Sequence, residues 1–152
     1  LRAACPGLAL STDVIVGFPT ESDAEFEDTV RVMEEVRFDT AFMFKYSVRP
    51  NTEAARALKD DVPEETKTSR IVRLNKLQTD ISFEKNRAQV GQVQPVLIEC
   101  PERAKGGPAY ARNDANRIVV LPPGAFQAGD LLNVRITSAT PHQLKGEPVP
   151  GM

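Results

Sequence analysis

The run "DVIVGFPTESDAEFEDTV", residues 13–30, constrains the fold more than any other stretch of the chain. Val14, Ile15 and Val16 are β-branched and suit a buried, pleated strand. Gly17 and Pro19 interrupt that strand. Thr20, three residues ahead of Asp23, starts a capping-box pattern, and Glu21, Asp23 and Glu25 suit the positive end of a helix dipole. Phe26, Val30 and Met33 recur at helical spacing, so one helix face packs on the sheet until about Val36–Arg37. A second strand is predicted over residues 39–47, with Phe42, Phe44 and Tyr46 alternating against Met43 and Lys45 and forming the core-facing set. Strand, helix, strand at this spacing is a βαβ unit, for which a right-handed crossover and parallel strands are expected.

Pro50 and Asn51 place a turn in the loop that follows. Residues 60–86 carry the longest helical signal. Pro63 fits its first position, Glu64 and Glu65 its first turn, and Ile71, Leu74, Leu77 or Gln78, and Ile81 its buried stripe. Gly91 closes that segment. From Gln92 the pattern changes to short strands, at 94–100, 117–121 and 130–139, separated by Gly/Pro loops at 103–109 and 122–130. Leu132, Val134 and Ile136 alternate with Asn133, Arg135 and Thr137, as in a strand with one buried face. Such strands predict a small barrel. The chain therefore divides at residues 86–91 into an α/β part and an all-β part. Parallel sheets are normally covered on both faces, and two strands with one helix cannot do that. The first part reads as the end of a larger barrel or sheet.

Composition narrows the function classes. No apolar run in the 152 residues approaches the ~20 needed to cross a bilayer. The opening "LRAACPGLAL" only loosely imitates a signal peptide, and it reads as the start of a piece cut from something longer. Cys5 and Cys100 stand alone, and His142 is the sole histidine, so this chain lacks the spacing of a zinc or iron–sulfur site. Cysteine usage points to a reducing, cytoplasmic setting. Residues 1–85 carry 12 Lys/Arg against 16 Asp/Glu, and residues 86–152 carry 7 against 5. The second part is the one suited to a polyanion.

Three motifs in order carry a resemblance. "LSTDVIVGFPTES…FEDT", "FMFKYSVRPNTEAA" and "VPEETKTSRIVRLNKLQTDISFEKN" resemble the C-terminal half of the radical S-adenosylmethionine domain of methylthiotransferases. The nearest branch is the tRNA enzyme that methylthiolates isopentenyladenosine beside the anticodon. "GQVQPVLIE…YARNDANRIVVL…AGDLLNVRITSATPHQLKGE" resembles the TRAM domain of those enzymes. The implied fold is the C-terminal portion of a partial TIM-like radical S-adenosylmethionine α/β barrel over residues 1–86, then an OB-like TRAM β-barrel over residues 87–152 that binds RNA.

The resemblance implies that Ile15, Val16, Gly17, Phe18 and Pro19 form one wall of the S-adenosylmethionine pocket, with Tyr46, Ser47 and Arg49 at the next strand end. Strand ends of such barrels carry the site residues. Arg112, Asn116, Arg117, Arg135 and Lys145 are the implied contacts to a tRNA anticodon stem-loop, and Tyr110 a candidate stacking residue. The family reaction reduces S-adenosylmethionine at a 4Fe-4S cluster, abstracts a hydrogen from adenosine and inserts a methylthio group. The CxxxCxxC cluster motif is not in these residues, so the clusters belong to a missing N-terminal portion, and this piece alone is expected to be inactive. The chain departs from the family at Thr20 and Asn51, where glycine is usual, and at Ala111-Arg112-Asn113, where Gly-Arg-Thr is usual. Two other readings compete: a non-catalytic RNA-binding module with the α/β part as scaffold, and the sibling enzyme that modifies a ribosomal protein aspartate.

Overall fold

The computed structural model describes residues 1–101 and 106–149. Part of the loop expected at 103–109 lies outside the described residues. The chain divides into two compact units: Leu10–Ile81, and Leu1–Ala9 with Ser82–Met152.

In the first unit, β1 (Ser11–Val16) pairs in parallel with β2 (Thr40–Lys45), and α1 (Asp23–Val36) connects them. This is the expected βαβ unit. Val16, Phe26, Val30, Met33 and Leu74 form its buried core, flanked by Val14, Ala41 and Met43. Each fully buried side chain of this kind contributes roughly 1.5–3 kcal/mol relative to exposure. The core takes the opposite face of β2 from the one expected. Phe42 and Phe44 are 55% and 54% exposed, and Ile15, opposite Phe44, is 54% exposed. Alternation gives the period of a strand but not which face a helix covers. Here α1 covers the face with the smaller side chains.

The helix cap also moves. Ser22, not Thr20, is the N-cap, and it exchanges hydrogen bonds with Glu25 in a complete capping box. Thr20 is instead used in a turn. The helix ends at Arg37, which takes a left-handed conformation and donates its N–H to Met33 O. The expected loop after Pro50 contains a short helix, α2 (Glu53–Ala57), capped by Thr52. The long helix α3 (Glu64–Arg87) begins one residue after Pro63. Leu74, Gln78 and Ile81 are buried as the stripe requires.

In the second unit, five strands close into a barrel in the order β3 (Val93–Cys100), β4 (Ala109–Asn113), β5 (Ile118–Leu121), β7 (Leu144–Pro148) and β6 (Leu131–Ala139). All neighbours are antiparallel except β5 and β7. Closure removes the exposed edges of an open sheet. Val96, Ile98, Val119, Leu121, Val134, Ile136 and Leu144 fill the interior with Ala109 and Ala111. Strands β4 and β7 escape a hydrophobicity reading because Leu144 is the one large apolar residue they turn inward, beside Ala109, Ala111 and Gly146. Gly146 is obligatory in that place, since a Cβ there would overlap Val134 and lie 2.9 Å from Arg135 O.

Candidate cofactor wall and nucleic-acid interface

Two Pro-X turns stand just beyond the C-terminal ends of β1 and β2. In the first, Glu21 N donates to Phe18 O at 2.9 Å across Pro19 and Thr20, and Thr20 has φ 71°. In the second, Thr52 N donates to Arg49 O at 3.3 Å across Pro50 and Asn51, and Asn51 has φ 68°. Proline followed by a positive-φ residue, closed by an i to i+3 hydrogen bond, is the type II turn. Its third position favours glycine. That is the physical reason glycine is usual at both places, and both departures keep the turn.

The residues expected to line a cofactor separate into two sets. Val16, Gly17 and Pro19 are buried, so the Val16 side chain serves the core. Ile15, Phe18, Ser47 and Arg49 are exposed, and Tyr46 is half-buried. Phe18 and Tyr46 meet edge to face with centroids 5.1 Å apart, which joins the two strand ends. Val16 O accepts from Tyr46 N at 2.8 Å. Ile15, Phe42 and Phe44 share the uncovered sheet face with Asp13.

A charge cluster built on buried Arg70 and Lys67 supports the first turn from behind. Gly17 N donates to Glu21 Oε2 at 2.6 Å, and the same oxygen accepts from an Arg70 amino group at 2.5 Å. The other amino group of Arg70 reaches Asp23 Oδ1 at 2.7 Å. Burial alone would favour neutral Arg70, but the hydrogen bonds and charges of Asp23 and Glu21 outweigh it and raise its pKa. Lys67, 3% exposed, passes its stem beneath Gly17 and pairs with Asp60 at 2.5 Å, with its ammonium 5.5 Å from the Tyr46 ring centre. Gly17 has φ 70°, and a Cβ there would overlap the Lys67 stem. The sequence reading missed Lys67 and Arg70. The signal was present: stepping back from Leu74 along its own stripe reaches Arg70 and then Lys67.

On the barrel, the expected RNA contacts are differently engaged. Arg112 lies on the outer side of β4. Its Nε donates to both Glu99 oxygens at 2.8 and 2.9 Å, and an amino group reaches Asn116 O at 3.0 Å. Asn116, at φ 59°, forms the turn between β4 and β5. Arg117 is drawn to Asn86, a 2% exposed residue near the end of α3, which itself donates to Thr140 O at 2.7 Å. Asn113 extends this network to Gln94 and Gln89. Arg135 and Lys145 are exposed on β6 and β7, with Arg135 reaching Gly91 O at 3.2 Å. Tyr110 is half-buried on β4.

No group of three or more His, Cys, Asp or Glu is placed to hold a metal among the described residues. Cys5 and Cys100 are free thiols. No described helix is long and apolar enough to cross a membrane.

Residues 87–149 match the TRAM domain. The chain is 47% identical over 147 residues to a tRNA-2-methylthio-N(6)-dimethylallyladenosine synthase of Syntrophobacter fumaroxidans, covering 97% of this chain and 32% of that protein. It is 48% identical to the synthase of that name in Chlorobium phaeobacteroides, covering 97% of this chain and 33% of that protein. A solved structure of a conserved protein of Methanococcus maripaludis is 32% identical, covering 40% of this chain and 79% of its own, with a TM-score of 0.32. The chain spans about a third of the length of the curated relatives it matches. Residues 87–149 thus carry a TRAM domain, and nearly the whole chain is similar to about a third of the length of these tRNA-2-methylthio-N(6)-dimethylallyladenosine synthases.

Proposed function

We propose that this chain is part of a radical S-adenosylmethionine methylthiotransferase that modifies isopentenyladenosine beside the tRNA anticodon. Residues 1–86 supply the C-terminal portion of its α/β barrel, and residues 87–152 grip the RNA. The observation that carries the reading is the alignment of both units, over 97% of the chain, with synthases of that name. The TRAM match at residues 87–149 supports the RNA role.

For S-adenosylmethionine, the residues at the end of β1 offer a fit of one kind. Ile15 and Phe18 give exposed apolar surface, while the Gly17 N–H is already committed to Glu21. That arrangement suits a neutral adenosyl group better than a phosphate, which would need free N–H donors. Tyr46, Ser47 and Arg49 stand at the adjacent strand end. When bound, S-adenosylmethionine and the 4Fe-4S clusters supply the radical and sulfur-transfer chemistry. The described residues do not fit a cluster, whose ligands in this reading lie elsewhere in the enzyme.

For RNA, Arg135, Lys145 and Arg112 are outward cations among the described residues of the barrel, with Asn116 beside Arg112. Arg117 acts mainly by locking Asn86. Phosphate contacts of this type give affinity with a salt dependence of roughly 0.7 in log K per contact on single strands. Titrating the chain with an anticodon stem-loop at two salt concentrations tests this. The expected result is weaker binding at higher salt and a smaller slope in Arg135→Ala plus Lys145→Ala. Absent or salt-insensitive binding refutes the RNA role.

A further inference from the structure

We infer that Arg70 is a positioning residue for the cofactor wall: through Glu21 it fixes the Gly17 amide inward, so that the end of β1 presents apolar side chains to a ligand. The inference rests on the reading of that strand end as the S-adenosylmethionine wall.

Burying a guanidinium is costly unless its donors are well placed; both amino groups of Arg70 are paired, while its Nε is buried without a hydrogen-bond partner. Arg70 is 5% exposed, yet it stands in the apolar stripe of α3, where a leucine would pack without that cost. Its partners explain what it does. One amino group binds Glu21 twice, at the carboxylate (2.5 Å) and at the carbonyl (3.2 Å). The other binds Asp23 at 2.7 Å, in the first turn of α1. Its carbon centre lies 5.3 Å from the Phe26 ring centre, so the guanidinium plane is held by the core as well. Glu21 Oε2 then accepts the Gly17 N–H at 2.6 Å. One cation thus ties three parts of the chain: Gly17 just after β1, the type II turn and the helix start.

The consequence concerns what the turn can bind. A strand–turn–helix joint with a free glycine amide is an anion site. Here the Glu21 carboxylate, itself paired with Arg70, occupies that donor. The turn then lacks the glycine amide a phosphate would use, and a ligand at the end of β1 meets Ile15 and Phe18 instead. Lysine at position 70 would keep the charge, but a single ammonium cannot bridge Glu21 and Asp23 in a planar fork. Glu21 would then be free to leave Gly17.

The test uses Arg70→Lys, with Glu21→Gln as a second variant should the first fail to fold. One readout is amide exchange at Gly17 in the chain itself. Exchange reports local opening, and we expect it at least about tenfold faster while the β3–β7 barrel amides keep their rates. The other is equilibrium binding of S-adenosylmethionine to the whole enzyme of the proposed reading, expected about tenfold weaker, with RNA affinity unchanged. Unchanged Gly17 exchange in both variants overturns the inference. So does faster exchange with wild-type cofactor affinity, which leaves the cofactor-wall reading standing. A wild-type enzyme with no affinity for S-adenosylmethionine overturns that reading and the inference with it.

Discussion

Thr20→Gly should stabilise the first unit. Thr20 holds φ 71° at the third position of its type II turn, a conformation that costs a residue with a Cβ about 1–2 kcal/mol. Threonine is β-branched and has no local compensation of the kind that asparagine offers. Its side chain is exposed, and its contact to Asp61 at 2.7 Å is made by the backbone N–H, which glycine retains. Against the relief stands the larger unfolded-state entropy of glycine, about 0.5–1 kcal/mol. The net expectation is a gain of about 0.5–1 kcal/mol. For a chain of this size that is a rise in melting temperature of about 1–4 °C. Urea and thermal unfolding followed by circular dichroism measure it. Thr20→Ala keeps the Cβ and relieves only the branching, so it should gain less than glycine does. The reasoning is refuted if Thr20→Gly melts at or below the wild type, or if alanine gains as much as glycine.

Other positions give further tests. Gly17→Ala should cost about 2–4 kcal/mol, from the left-handed conformation and from overlap with the Lys67 stem, as read from the urea midpoint. Asn86→Ala should destabilise the barrel by about 2–3 kcal/mol by removing one partner of Arg117 and the donor to the Thr140 carbonyl; unchanged barrel stability would show that the network is incidental. Ser22→Ala should cost about 1 kcal/mol through the lost cap, whereas Thr20→Ala should not show a cap loss. The Glu25 carboxyl is held below its ordinary pKa of 4.5 by the Ser22 backbone and side chain, and Glu27 by its hydrogen bond to Arg73. Both folded pKa values are depressed, so their stabilisation is present above pH 4.5 and lost as pH falls through the folded values. An unfolding midpoint that rises with acidification across that range would contradict the assignment.

The βαβ unit, the α3 stripe and the change to a small barrel were legible because each rests on spacing. Phe26, Val30 and Met33 can share a face only in a helix, and Val134 with Ile136 only in a strand. What spacing does not carry is which side is covered. Phe42 and Phe44 have the size of core residues and stand exposed, because α1 packs on Ala41 and Met43 instead. Strands β4 and β7 were hidden because, apart from Leu144, they turn small residues inward, Ala109, Ala111 and Gly146, where the other strands supply the large apolar ones. Thr20 and Ser22 both offer hydroxyls three residues before an acid, and the choice fell to Ser22 because Thr20 is needed in the turn. The charged knot of Lys67, Arg70, Glu21 and Asp60 joins residues up to 49 apart in sequence, beyond the reach of a local pattern.

The central claim is that this chain serves a tRNA methylthiotransferase. The complete reading frame that contains it, expressed in a strain lacking its own isopentenyladenosine methylthiotransferase, provides the direct test. Mass spectrometry of nucleosides from the strain's tRNA should show the methylthio derivative of isopentenyladenosine restored, and lost again on deletion of residues 87–149. Absence of that derivative, with isopentenyladenosine left unmodified while the protein is expressed and folded, would contradict the account.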